Sequence, residues 1–105
     1  MNRRVGVIIG ESDGVLKVLG NGEYVGDEVP IEAVGMFADM MRKINHPNPK
    51  IVLDNGDVVY GCECWFGSIE KMDRIIASHK NVVTVNIGDI RREYREQEEA
   101  NERKD

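Results

Sequence analysis

The sequence predicts an α+β fold in a single small domain. We expect a mainly antiparallel sheet of about five strands, two packed helices and a charged C-terminal helix. Three observations carry this. Short runs rich in β-branched residues recur along the chain. The dipeptides Asp13-Gly14 and Asn55-Gly56 sit between such runs as hairpin signals. Two intervening stretches repeat apolar residues at three- and four-residue spacing. Strand runs joined both by hairpins and by helices, in the order ββ(β)-α-ββ-α-β-α, point to α+β rather than a parallel doubly wound sheet. A length of 105 residues is that of one domain.

Val5 to Ile9 forms the first predicted strand, bounded by Gly6 and Gly10. Ser12-Asp13-Gly14 turns the chain, and Val15 to Leu19 returns. The stretch 20–30 places Gly20, Gly22 and Gly26 around Tyr24, which reads as a bulged strand or as a loop presenting Tyr24. Pro30 suits the first turn of a helix, and the apolar spacing of Ile31, Val34, Ala38 and Met41 predicts that helix over 31–44. Phe37 and Ile44, with Met36 and Met40, widen its apolar arc. A helix apolar on more than one side calls for a second neighbour, so a homo-oligomer is expected. Asn45-His46-Pro47 ends it.

Lys50 to Leu53 and Val58 to Phe66 are predicted to pair across Asp54-Asn55-Gly56-Asp57, where Asn-Gly favours a type I′ turn. Ser68 is placed to cap a helix over 69–79. Val82 to Ile87 reads as the last strand, broken by Gly88-Asp89. The charged helix follows, with Glu99 and Arg103 in the favourable acid-before-base order. The domain reading is a globular body over 1–90 and a charged helix or tail over 91–105.

The chain carries 14 Lys+Arg against 19 Asp+Glu, a formal charge of −5. Residues 1–90 hold 9 basic and 13 acidic side chains, and 91–105 hold 5 and 6, so the tail is dense in charge but nearly balanced. The acidic total argues against general nucleic-acid binding, which needs a basic footprint. No run of 18 apolar residues is present, so no membrane span is expected. The N-terminal stretch is interrupted by glycines and followed by Glu11, a poor pattern for a secretory signal. With only two cysteines, this points to a reducing, cytoplasmic compartment.

Few residues offer chemistry. On a continuous strand, Cys62 and Cys64 would share one face with Val58, Tyr60 and Phe66. They read as buried small hydrophobes or as the start of a metal or redox module, with His46 and His79 as the only further imidazoles. The opposite face would set Glu63 beside Trp65, a carboxylate next to an indole and a candidate contact for a ligand or partner. Arg42 and the tail arginines Arg91, Arg92 and Arg95 are candidates to converge on an anion if subunits pair. Tyr24 completes the candidate binding residues. No Ser/His/Asp or paired-carboxylate pattern emerges, so no catalytic residue, resident metal or cofactor is expected.

Two blocks carry a resemblance. One is Gly20-Asn21-Gly22-Glu23-Tyr24-Val25-Gly26-Asp27-Glu28-Val29-Pro30. The other runs from Asn48 to Gly67 and contains Gly61-Cys62-Glu63-Cys64-Trp65-Phe66. Together they resemble small bacteriophage-encoded accessory proteins with G-x-G-x-Y-x-G-D-x-x-P and N-P-K-I-x-L-D-x-G-x-V-V-x-G-C-E-C-W-W-G stretches. Here Phe66 stands at the second tryptophan of the pattern. The resemblance implies a non-enzymatic protein of the host cytoplasm that binds a host protein or defence component. A sponge for a small nucleotide-like signal, on analogy with the anti-Thoeris class, is the other form this implies.

Overall fold

A long twisted hairpin frames the molecule. The computed structural model describes residues 3–102; the proposed Glu99–Arg103 pair therefore lies outside the described residues. Strand β1 (Arg3–Ser12) pairs antiparallel with β2 (Val15–Glu28). Asp13 and Gly14 both take positive φ, 54° and 78°, which makes this the type I′ turn of the chain. The stretch around Tyr24 is strand, not loop. Register shifts near Ile8 bulge the hairpin, and another near Val25, where Gly26 takes φ 122°, bulges β2 against its other neighbour, the strand over 48–53.

Beyond β2 lie β3 (Asn48–Leu53) and β4 (Val58–Tyr60), both antiparallel. In their connection only Gly56 has positive φ, so it is not the expected type I′ turn. Strand β5 (Trp65–Gly67) pairs with the far edge of β1, giving the order β4-β3-β2-β1-β5. The predicted strand over 58–66 is thus two strands on opposite edges of the sheet. Residues 61–64 turn between them, started by Gly61, which approaches Pro49 too closely for a Cβ. Strand β6 (Val82–Thr84) runs parallel to β2 at its Leu16–Val18 end.

The helices also depart from the periodicity. Helix α1 spans Met36–Lys43, not 31–44. Pro30 is buried in the segment before it, and Gly35 at φ 119° sets its start. The Arg42 guanidinium donates to the Pro30 and Ala33 carbonyls at 2.8 and 2.6 Å, tying that irregular segment to the helix. Asn45 at φ 58° ends α1, with His46 N–H bonded to Met41 O and Asn45 N–H to Arg42 O. Helix α2 (Ile69–Ala77) starts at Ser68, whose hydroxyl accepts from Lys71 N–H as predicted. Helix α3 begins at Ile87 and runs to Glu102. The Asn86 side chain accepts from Gly88 N–H at 2.7 Å, so Gly88-Asp89 opens a helix where the sequence suggested a break.

Three clusters hold the fold. Val5, Val7, Leu19, Ile51, Leu53 and Val59 on one sheet face pack with Ile87 and Ile90 of α3. On the other face Ile8, Leu16 and Val18 meet Met72 of α2. Gly6 lets α2 approach, since a Cβ there would lie 2.8 Å from Met72 Cβ. The third cluster joins Ala33 and Ala38 to the Tyr60 ring. Each buried Val, Leu, Ile or Met side chain of the first two clusters contributes about 1.5–3 kcal/mol. The molecule measures 45 × 35 × 19 Å, thin enough to leave apolar side chains on its faces. No helix among the described residues is long and apolar enough to cross a membrane.

Candidate functional site

The turn over 61–64 sits between β4 and β5 and is fixed from below by a polar lock. Glu63 N–H donates to Tyr60 O at 2.8 Å. The Glu63 carboxylate accepts from Tyr60 N–H at 3.1 Å and from Arg91 through two bonds, Nε to Oε2 at 2.9 Å and Nη2 to Oε1 at 2.8 Å. Arg91 Nη2 also donates to Val58 O at 2.8 Å. The two side chains are 14% and 7% exposed, a nearly desolvated, bidentate pair. Its hydrogen bonds to Glu63 hold the Arg91 guanidinium above its ordinary pKa. Nearby, the buried Tyr60 hydroxyl donates to Glu32 at 2.6 Å, and burial first, then that bond, raises its pKa.

Above this floor opens a groove of about 590 Å³ walled by Phe37, Trp65, Phe66 and Tyr94, with Cys62 and Cys64 at its base. Trp65 is 71% exposed, Phe37 57% and Tyr94 51%. Phe66 is set by stacking on Tyr24, ring centroids 6.4 Å apart. A smaller hollow of about 220 Å³ continues past Phe37 and Tyr94 toward Met36 and Glu98. Aromatic side chains with rigid rings and few rotamers suit a binding surface, because ordering them on association costs little.

The candidate residues are thus sorted by the structure. Glu63 and Trp65 do not share a strand face: Glu63 turns inward onto Arg91, and Trp65 stands outward. Tyr24, half-buried, supports Phe66, donates its hydroxyl to Asp27 at 2.5 Å and lies under the Arg3 guanidinium. Arg42 is committed to Asp39 and two carbonyls. Arg92 pairs with Asp89 in its own helix. Arg95 shares a shallow groove with Arg42, but Glu32, Asp39 and Glu98 line it too. Phe37, expected on the wide apolar arc of the first helix, lines the groove, as does Tyr94. Tyr94 follows Ile87 and Ile90 at helical spacing; the structure buries the first two and leaves Tyr94 51% exposed.

The thiols are not poised for chemistry. Burial, then the Glu63 charge, pushes Cys64 up to about 12, and its thiol donates to Tyr60 O at 3.4 Å. Cys62 is raised for the same first reason. Burial therefore makes both thiols less acidic than an ordinary cysteine, which works against a nucleophilic role. Among the described residues no group of three or more His, Cys, Asp or Glu is placed to hold a metal ion. His79 instead bonds Glu11 at 2.9 Å. No family model matches this chain, and comparison with curated proteins and with solved structures likewise returns no match.

Proposed function

We propose that this chain is a non-enzymatic binding protein that docks a protein partner on the groove walled by Phe37, Trp65 and Tyr94. The resemblance extends the proposal to a phage accessory protein acting on a host factor or defence component in the host cytoplasm. One observation carries it: Trp65 stands 71% exposed at the rim of an aromatic groove whose polar floor is already paired within the chain. Large exposed apolar patches on a small domain mark interaction sites, and tryptophan and tyrosine are the side chains on which binding energy concentrates. The nucleotide-sponge form has less support, because Arg42, Arg91 and Arg92 already have acidic partners. The metal or redox alternative has less support, because among the described residues no group of three or more His, Cys, Asp or Glu is placed to hold a metal ion.

Affinity capture from the bacterial host with wild type and Trp65→Ala, followed by binding of the purified captured protein, tests this. Wild type should retain a partner whose affinity falls at least about 30-fold with Trp65→Ala, the scale of an interface hot spot. A partner held equally by both proteins contradicts the site. Thermal stabilisation by a nucleotide panel without any protein partner contradicts the partner class.

A further inference from the structure

Helix α1 carries a marked apolar face that the rest of the chain leaves almost uncovered. It is eight residues long, and Ala38 is its one buried side chain. Helices this short are marginal alone and persist by packing an apolar face. The face α1 offers is outward. Met36 is 78% exposed, Met40 51% and Ile44 61%, spaced four residues apart, with Phe37 at the edge of the stripe. At about 100° per residue these four fall on one side of the helix, and no charged residue lies between them.

We propose that this stripe is a two-fold interface with a second copy of the chain, with the two α1 helices antiparallel. Area is the first argument. At roughly 200 Å² for a full side chain of this size, the exposed parts come to roughly 500 Å². A standard interface takes about 800 Å² per partner, of which about 60% is apolar, so the stripe supplies the apolar share of one such interface. Charge is the second argument. Asp39, which accepts from Arg42 in its own helix and is still 56% exposed, and the exposed Lys43 flank the stripe on one side, one turn apart. Antiparallel pairing about Met40 sets Met36 against Ile44 of the second copy and brings Asp39 toward Lys43 of the second copy, twice by symmetry. A parallel pairing would set this charged flank against the Phe37 flank of the second copy and align the helix dipoles unfavourably. The interface leaves Trp65 and Tyr94 free for the partner groove; Phe37 belongs to both, and Met36 also lines the smaller hollow beside it.

Sedimentation velocity on the full chain at about 50 µM, well above a micromolar Kd, should give a dimer. Met40→Glu places two carboxylates near the two-fold axis and should raise the dimer Kd at least about 100-fold, with circular dichroism unchanged. Lys43→Glu sits on the exposed surface and should weaken the dimer about 3- to 10-fold, more at low salt. Trp65→Ala should leave the dimer intact, which keeps this test separate from that of the partner groove. A wild-type monomer at this concentration overturns the proposal. So does a dimer that survives both charged variants, or one lost on Trp65→Ala.

Discussion

Helices α1 and α3 reverse what their compositions suggest. Helix α3 is the more polar, Ile-Gly-Asp-Ile-Arg-Arg-Glu-Tyr followed by a run of charges, yet Ile87 and Ile90 are 2% and 7% exposed in the main core. Its Arg91 reaches under the 61–64 turn to the nearly buried Glu63. Helix α1 is rich in methionine and phenylalanine and buries only Ala38. Burial follows where a sheet face is uncovered and where a helix enters it, not how apolar the helix is. Three residues at the start of α3 complete the fold, and the apolar excess of α1 is left for interaction.

The sharpest way to break this comparison is to disarm the buried pair. Arg91→Met leaves the Glu63 carboxylate buried without its cation and should cost about 3–5 kcal/mol in urea unfolding. Pairing Arg91→Met with Glu63→Leu should recover a large part of that loss, because an apolar replacement of both members removes the stranded charge. A loss below about 1 kcal/mol for the single variant would mean the pair is solvated, on the scale of surface ion pairs. Ile90→Ala should follow at about 2–4 kcal/mol, the cost of a cavity beneath the sheet.

Much of this was legible locally. Ser68 caps α2 and Asp13-Gly14 forms its hairpin because each acts on neighbouring backbone. The failures were of other kinds. The start of α1 depends on Arg42 reaching back to Pro30 and Ala33, twelve and nine residues away. The alternation over 58–66 suggested one strand, but Trp65 and Phe66 find their partners on β1, some sixty residues earlier. Asn86 carried a capping signal that Gly88 obscured. At the site, Trp65 was visible in the sequence. The pairing of Glu63 with Arg91, 28 residues on, was not, because no local pattern announces a long-range ion pair.

A smaller effect contrasts the polar ties on the two sheet faces. His79 Nδ1–H donates to Ile75 O at 2.8 Å and Nε2–H to Glu11, and both bonds raise the imidazole pKa above its ordinary 6.5. A raised histidine adds stability in full below the unfolded value and loses it as pH rises through the folded one. The melting-temperature difference between wild type and Glu11→Gln should therefore be larger at about pH 5.5 than at about pH 8.5. A difference independent of pH would show that the pair does not form in solution.

Smallest of all is the stability change on Trp65→Ala, expected within about 0.5 kcal/mol because the indole is mostly in solvent. A loss of several kcal/mol would place Trp65 in the core rather than in the site.

The chain has one tryptophan, so its fluorescence reports the groove directly. In the free protein the emission of Trp65 should be that of a solvated indole and readily quenched by acrylamide. Saturation with the captured partner should shift the emission to the blue and shield it from the quencher. Emission and quenching that stay unchanged at full saturation would contradict the account, because the partner would then sit elsewhere.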